Sequence, residues 1–349
     1  MLRTKWGLGL LAIAVAATAL TSPAIAHADD GSENAGILGT LHTGVDTSTN
    51  TPAANITDGL VLIDTIVGYD DGAAAGTGMV LTQTGIVITN HHVVAGSTSI
   101  TVTDPATRKK YNADVLGYDS THDVAVLQLG GASRLSTITV STQPVTSGAS
   151  ITAIGNAEGG GRLVTVTGKV TQVNMTVQVT GEDGTGSSTL TNLVGTTAPL
   201  VPGDSGGAMF DNSSRVIAMN VAGSTNAHRP AGFGIPIVTA LKIANAVVTG
   251  QPNSTIKLGR TGGLGIVVST QSTGSPQIQQ VVPGGAAAKA GITAGSTLTS
   301  LDGVELSSAD QLTSILATHQ PGDKVQASWT DRNGRDHTAT VTLGVAPLA

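Results

Sequence analysis

Short runs of β-branched and aliphatic residues, separated by Gly, Asn, Asp or Ser, recur from about Gly59 onward and constrain the fold more than any other feature. In the first part of the chain they predict strands at residues 60–66, 77–81, 86–89, 99–102, 123–129, 150–154, 163–173, 176–180, 216–221 and 233–236. Many short strands at this spacing are typical of an antiparallel barrel or sandwich. Aromatic residues make up only 2% of the chain, so the cores must be built from Val, Ile, Leu and Ala.

The chain is long enough to require a second hydrophobic core, since 349 residues exceed what one core usually organises. A helical pattern at residues 237–248 ends at Gly250-Gln251-Pro252, which is typical of a helix stop, and residues 251–259 are predicted to be a linker. The remaining patterns predict strands at residues 265–268, 278–282, 298–301, 325–329 and 338–343 and helices at 286–290 and 308–318. Residues 260–345 are therefore expected to form a compact α+β domain.

The N-terminus has the pattern of an export signal. Arg3 and Lys5 precede an apolar stretch at residues 6–20, and Ala26-His27-Ala28 is a small-residue cleavage site. A membrane anchor is the alternative, but the apolar run is shorter than the roughly 20 residues that span a bilayer. We predict a signal peptide at residues 1–28, cleavage after Ala28, a flexible segment at residues 29–58, and a secreted or cell-envelope location.

Charge and cysteine content argue against several classes of partner and chemistry. The formal net charge is -6 and no basic stripe is present, so nucleic acid is not an expected partner. The chain has no cysteine, which excludes disulfides and thiol chemistry. Catalysis, if present, has to use Ser, His or carboxylates.

The strongest local motif is Gly203-Asp204-Ser205-Gly206-Gly207. A serine hydroxyl needs a general base to become a nucleophile, and its attack on a carbonyl creates an oxyanion that needs fixed donors. Glycine before the serine lets the amides of Gly203 and Ser205 converge on one point. Taken alone, the same five residues are also consistent with an ordinary turn.

Two adjacent histidines form the second motif. His91 and His92 follow the strand predicted at residues 86–89, where a strand gives way to a turn. A metal site is the alternative interpretation, but neighbouring side chains of an extended chain point to opposite faces and make a poor chelating pair. We therefore expect no metal and no other cofactor, and only one of the two imidazoles can face a serine.

An acid opens a buried apolar strand in the third motif, His122-Asp123-Val124-Ala125-Val126-Leu127. A carboxylate in this position is costly without a partner. An imidazole N–H is such a partner, because the bond would fix the tautomer of the ring. Asp119, in the turn before it, is better suited to capping that turn, and His122 is expected to face solvent.

Together the three motifs resemble the chymotrypsin-like serine proteases, specifically the HtrA family and its secreted PepA-type members from mycobacteria and related actinobacteria. The resemblance covers nearly the whole chain after about Gly59. It is carried by Gly76-Thr77-Gly78, Thr89 to Val94, Tyr118 to Leu129, Ile154-Gly155-Asn156 and Pro202 to Gly207. It implies a mostly β protein, with a chymotrypsin-like double β-barrel over residues 59–250.

The resemblance also implies roles for individual residues. His92, Asp123 and Ser205 match the catalytic triad, and the amides of Gly203 and Ser205 match the oxyanion donors. Leu200 matches an apolar residue that lines the P1 pocket, and no acid occurs at residues 196–201, which favours an apolar P1 side chain. The main chain of Asn220-Val221-Ala222 matches the segment that pairs with an extended protein or peptide substrate.

The second domain resembles a PDZ domain. Gly263-Leu264-Gly265-Ile266 is similar to the loop that receives the terminal carboxylate of a bound peptide, which implies peptide C-termini as partners. A Gly-rich linker turn is the alternative for these four residues. The tandem Gly262-Gly263 leaves the register open by one or two positions.

The chain departs from the family pattern in two places, and two functions other than a serine protease remain open from the sequence. The family usually has Asn where this chain has Asp204, and residues 29–67 lack the aromatic residues through which trimeric members meet, so a homo-oligomer is left open. One rival is a binding protein or chaperone that uses the protease fold with little catalytic activity. The other is an esterase with the same triad, which the β-rich order disfavours because α/β-hydrolases run Ser, acid, His.

Overall fold

The computed structural model describes residues 55–68, 72–180, 187–224, 231–269 and 274–349. The predicted signal peptide and most of the predicted N-terminal segment lie outside these residues. The described residues form two compact units, with the main division of the chain between Leu258 and Gly259. No helix within the described ranges is long and apolar enough to cross a membrane.

The first unit consists of two antiparallel β-barrels. Its strands are β1 (Leu60–Val67), β2 (Gly72–Val80), β3 (Ile86–Thr89), β4 (Ser97–Thr103), β5 (Lys110–Asp119), β6 (Val124–Leu129), β7 (Ser150–Gly155), β8 (Val164–Thr180), β9 (Ser187–Thr196), β10 (Ala208–Phe210), β11 (Val216–Ser224), β12 (Ala231–Pro236) and β13 (Ile256–Leu258). The first barrel has the order β5-β4-β1-β2-β3-β6, closed by β5 pairing with β6, and β13 adds to β5. The second is the closed barrel β10-β11-β12-β9-β8-β7.

Aliphatic side chains fill both barrels, as the low aromatic content requires. All four residues of β3 are buried, and β5 alternates buried Tyr111, Ala113 and Val115 with exposed Asn112 and Asp114. This alternation is what a strand with one face on the core produces. The prediction of a mostly β, chymotrypsin-like barrel domain is confirmed.

Two helices belong to the first unit, α1 (His91–Val94) and α2 (Ile237–Val248). The second agrees with the predicted helix. The first corrects the premise that the two histidines lie in an extended chain, because they open a helical turn immediately after β3. Their side chains nevertheless contact different partners, described below.

Several observed strands differ in their bounds from the predicted ones, because they are defined by pairing between residues distant in sequence. Residues 163–173 and 176–180 belong to the single strand β8, in which Asn174 has a φ of 56° and the pairing register shifts between Gln172 and Met175. This bulge interrupts the sequence pattern but not the strand. Three residues of the predicted linker, Ile256–Leu258, form β13 and pair with Gly117–Asp119 of β5.

The second unit is the predicted α+β domain. Its strands are β14 (Gly262–Gly263), β15 (Ile266–Val268), β16 (Ile278–Val281), β17 (Thr297–Leu301), β18 (Val304–Glu305), β19 (Lys324–Thr330), β20 (Asp336–Thr342) and β21 (Gly344–Val345), and its helices are α3 (Ala286–Lys289) and α4 (Ala309–Leu316). Four strands form one sheet in the order β18-β17-β19-β20, while β14 pairs with β21 and β15 with β16. Leu264, Leu298, Leu312 and Trp329 lie in its core.

Candidate active site

His92 and Asp123 form a close pair in the first barrel. The Nδ1 atom of His92 lies 2.7 Å from Oδ2 of Asp123, and the backbone N–H of His92 donates to Oδ1 at 2.9 Å. The carboxylate therefore holds both the ring and the main chain of the same histidine. When Nδ1 donates to a carboxylate, the neutral ring keeps its proton there and Nε2 becomes an acceptor, which is the state a general base needs.

Local backbone structure explains how this pair forms. Asn90 lies between β3 and α1, and its Nδ2 donates to the backbone carbonyl of Asp123 at 3.0 Å. Asp123 has a φ of 56°, in the left-handed region, at the position where the turn after β5 enters β6. Because β3 and β6 are paired neighbours, the histidine after one strand and the acid before the other lie at the same end of the barrel.

The turn that carries Ser205 is anchored to the same end of the first barrel. The backbone N–H of Thr77, in β2, donates to the carbonyl of Ser205 at 2.9 Å. The hydroxyl of Thr89, at the end of β3, donates to the carbonyl of Thr77 at 2.7 Å. Gly206 has a φ of 82°, and a Cβ there would overlap both the Thr77 carbonyl and the Thr89 hydroxyl. The β2–β3 hairpin thus holds the serine turn through Thr77 and Thr89. Thr89 lies three residues before His92 in sequence.

The peptide unit between Pro202 and Gly203 has a defined orientation. Its carbonyl accepts a hydrogen bond from the backbone N–H of Glu158 at 2.6 Å. The C=O and N–H of a trans peptide point in opposite directions, so this bond turns the Gly203 N–H away from Glu158. Gly203 has a φ of 92°, and a Cβ on it would overlap the carbonyl of Asn156, so the close approach requires glycine.

Asp204, next to Ser205 in sequence, is a buried carboxyl group with 3% of its surface exposed. Burial raises its pKa from 3.8 to about 6, and a hydrogen bond from the backbone N–H of Val201 to Oδ2, at 2.9 Å, opposes this rise. No Lys, Arg or His side chain pairs with it in the part of the chain that the structure describes.

The other histidines selected from the sequence have different surroundings. The ring of His91 stacks on Tyr118, with centroids 4.8 Å apart and planes at 17°. Nδ1 of His122 lies 2.8 Å from Oδ2 of Asp119, and Asp119 also accepts the His122 backbone N–H at 3.0 Å. Asp119 thus caps the turn as expected, whereas His122 is paired with it rather than merely facing solvent. The hydroxyl of Thr255 donates to the same Asp119 oxygen at 2.8 Å.

The predicted substrate-binding residues flank the serine turn. Leu200 is buried, and its side chain occupies the space that a Cβ on Gly232 would take. The main chain of Asn220 is already bonded to the serine turn, with its N–H donating to Gly207 at 2.8 Å and its carbonyl accepting from Gly206 at 2.9 Å. This corrects the expectation that Asn220 offers its main chain to substrate.

Ala222 is the next residue of β11 whose main chain was expected to pair with substrate. Backbone groups of alternate residues in a strand point to the same edge. Val221 pairs with Phe233 of β12, on the opposite side from the serine turn. In a regular strand the backbone groups of Ala222 would share the edge used by Asn220, but the register between β11 and β12 shifts between Val221 and Ser224, so the main-chain role of Ala222 stays a prediction.

The predicted carboxylate-binding loop of the second unit connects β14 to β15 and is hydrogen-bonded to α3. The carbonyl of Leu264 accepts from the Ala287 N–H at 2.8 Å, and that of Gly265 accepts from the Val282 N–H at 2.9 Å. By the same trans-peptide geometry, the N–H groups of Gly265 and Ile266 point away from these donors. Within the described residues, β15 pairs on one side only, with β16, so its other edge is open to an added strand.

The sequence analysis missed the polar residues that hold the serine turn. Thr77 and Asn156 are fully buried, and each occurs in a motif quoted for the resemblance but was given no role. Their roles depend on hydrogen bonds to residues distant in sequence, which no local pattern indicates.

Two family models match separate parts of the chain. The model of a trypsin-like peptidase domain matches residues 76–219, and that of a PDZ domain matches residues 262–343. The first match includes all three residues of the predicted triad, and the second includes the loop at residues 263–266.

Two curated relatives are named serine proteases. The serine protease PepD of Mycobacterium tuberculosis is 31% identical over 315 residues, covering 84% of this chain and 65% of PepD. The periplasmic pH-dependent serine endoprotease DegQ of Escherichia coli is 31% identical over 287 residues, covering 77% of this chain and 59% of DegQ. The chain thus spans less than two thirds of the length of these relatives. A solved serine endoprotease from Yersinia pestis is 22% identical, with a TM-score of 0.47, and the match covers 83% of this chain and 94% of that one.

Proposed function

Because the chain belongs to the HtrA family of trypsin-like serine proteases with one PDZ domain, we propose that it is an exported serine endopeptidase whose nucleophile is Ser205. The observation that carries the proposal is the pairing of His92, which follows β3, with Asp123, which precedes β6, at the end of the barrel where the β2–β3 hairpin anchors the Ser205 turn. Export is supported by the N-terminal sequence pattern and by the periplasmic location stated in the name of the relative DegQ.

In the proposed mechanism, Ser205 Oγ attacks the carbonyl carbon of the scissile peptide while its proton passes to Nε2 of His92. Asp123 keeps the imidazole oriented and stabilises the imidazolium that forms. The N–H groups of Gly203 and Ser205 bind the oxyanion of the tetrahedral intermediate. His92 then protonates the leaving amine, and a water molecule, activated by the same histidine, hydrolyses the acyl-enzyme and frees Ser205.

The proposed substrate is an extended polypeptide segment. It would pair with the edge of β11 at Ala222, a main-chain mode that accepts many sequences. The apolar side chain of Leu200, together with the absence of an acid at residues 196–201, favours an apolar P1 residue.

The second domain is proposed to bind peptide C-termini. The N–H groups of Gly265 and Ile266 would receive the terminal carboxylate, and the open edge of β15 would pair with the preceding residues of the peptide. Ile266 and Val268 pack against the domain core while remaining partly exposed, so apolar side chains of a bound peptide would meet an apolar surface.

Steady-state kinetics on an internally quenched peptide with Leu at P1 test the proposal. The mature chain should cleave it faster than the same peptide with Lys or Asp at P1. Ser205→Ala should lose several orders of magnitude in kcat while remaining folded, because only binding and the oxyanion donors are left. Ser136→Ala, which changes an exposed serine of the same unit, is the matched control and should keep full activity. Equal rates for Ser205→Ala and the control would contradict the proposal.

A further inference from the structure

One buried hydroxyl joins the two segments that surround the proposed oxyanion site. Thr77 has 0% of its surface exposed, although it lies in an otherwise apolar part of β2. Its hydroxyl donates to the carbonyl of Gly203 at 2.8 Å and accepts from the backbone N–H of Asn156 at 2.8 Å. These partners lie 126 and 79 positions away in sequence.

The main chain of the same residue holds the serine turn as well. The Thr77 N–H donates to the carbonyl of Ser205 at 2.9 Å, so one residue binds the carbonyl groups on both sides of Asp204. A carbonyl that is bonded in this way cannot rotate without breaking the bond. The two bonded carbonyls belong to the Gly203–Asp204 and Ser205–Gly206 peptide planes, and the plane between them carries the Ser205 N–H, so that donor is held from both sides. Thr77 itself does not present a group to the reacting atoms.

The loop on the other side of the hydroxyl completes the arrangement. Asn156 begins the segment that contains Glu158, whose N–H orients the Pro202 carbonyl. Within that segment the Asn156 Oδ1 accepts from the Gly161 N–H at 2.9 Å, which closes the loop on itself. The Thr77 hydroxyl therefore fixes the position of this loop relative to Gly203.

From these contacts we propose that Thr77 is a positioning residue for the oxyanion site, acting through its hydroxyl on Gly203 and on the Asn156 loop. This inference rests on the proposed peptidase function. Valine has the same shape as threonine and is at least as well suited to a buried strand. Packing in the barrel therefore does not explain why threonine rather than valine occupies this position, whereas the two hydrogen bonds of the hydroxyl do.

The experiment compares Thr77→Val, which removes the hydroxyl, with Thr77→Ser, which keeps it. On the quenched peptide, Thr77→Val should lower kcat by about 10- to 100-fold while KM changes less than about twofold, because the donors bind an oxyanion that develops only in the transition state. A peptide boronate forms a tetrahedral adduct with the serine, and one oxygen of that adduct occupies the oxyanion site. Its inhibition constant should rise by the same factor. Thr77→Ser should restore both values to near those of the unchanged chain.

Thr65→Val is the matched control, since Thr65 is buried in the same barrel and its hydroxyl donates to the carbonyl of Ala74. It should leave kcat and the boronate constant unchanged. If the unchanged chain cleaves the peptide and Thr77→Val behaves like this control, the inference fails while the peptidase function stands. An inactive unchanged chain would instead refute the peptidase function.

Folding of the variants is checked by circular dichroism. Should Thr77→Val be unfolded, Thr77→Ala removes the hydroxyl with a smaller side chain and provides the same measurements. If both are unfolded while Thr77→Ser is folded, the hydroxyl is a determinant of folding and the positioning role is overturned. A kcat loss shared equally by Thr77→Val and Thr77→Ser would also overturn it.

Discussion

Replacing Asp204 by Asn should stabilise the first unit at neutral pH and have little effect at acidic pH. The pKa of this carboxyl is raised from 3.8 to about 6 in the folded chain because it is buried. Between these two values the folded state keeps the proton that the unfolded state has lost, so the contribution of Asp204 to stability falls as pH rises from about 4 to about 6. Above that range the group is charged in both states and the penalty is constant.

The size of the effect follows from the two pKa values. Their difference corresponds to about 3 kcal/mol of destabilisation at pH 7.5 relative to low pH. The Asn side chain carries no charge, and its carbonyl oxygen can still accept the bond from Val201. Its added NH2 group must find a partner, which reduces the gain. We expect Asp204→Asn to be more stable by about 1 to 3 kcal/mol at pH 7.5 and by less than about 0.5 kcal/mol at pH 4.

Urea unfolding at the two pH values measures this difference. Trp329 lies in the core of the second unit, so tryptophan fluorescence follows that unit, while the remaining change in far-UV circular dichroism reports on the first. Asp114→Asn, at an exposed position of β5, is the control and should shift the free energy of unfolding by less than about 0.5 kcal/mol at either pH. A gain for Asp204→Asn that is the same at both pH values, or a loss at pH 7.5, would refute the reasoning.

Two further predictions concern the paired histidines and the second domain. His92→Ala should lower kcat/KM by several orders of magnitude, whereas His91→Ala, which removes the stacking contact with Tyr118, should cost less than about tenfold; equal losses in folded proteins would place the base elsewhere. If the second domain delivers substrates, a free peptide with an apolar C-terminal residue should slow cleavage of casein but not of a short chromogenic substrate, and its C-terminal amide should do nothing. Faster turnover of the short substrate with the free peptide would instead indicate allosteric control, with a coupling of about 5- to 150-fold.

The residues proposed to perform the chemistry were accessible from sequence because each stands in a short motif with local meaning. Ser205 lies among glycines that a tight turn requires, and Asp123 opens an apolar strand where an isolated carboxylate is costly. The bond between His92 and Asp123 depends on the pairing of β3 with β6, two strands whose apolar patterns were both recognised.

The features that were missed depend on contacts between distant parts of the chain. Thr77 carries no local signal of its role, because its partners lie on other strands and loops. The composition of residues 251–259 predicted a linker, yet three of them add a strand to β5, a pairing that no local pattern announces. The family resemblance implied that the main chain of Asn220 pairs with substrate, but which edge its backbone groups occupy depends on the fold of the serine turn.

Active-site labelling tests the central claim most directly, since it asks whether Ser205 is a nucleophile activated by His92. The mature chain is treated with a fluorophosphonate and the modified residue is located by peptide mapping with mass spectrometry. The account predicts a single adduct on Ser205, formed quickly in the unchanged chain and in Ser136→Ala, and not detectably in His92→Ala over the same time. An adduct on another residue, or labelling of Ser205 at the same rate when His92 is absent, would contradict it.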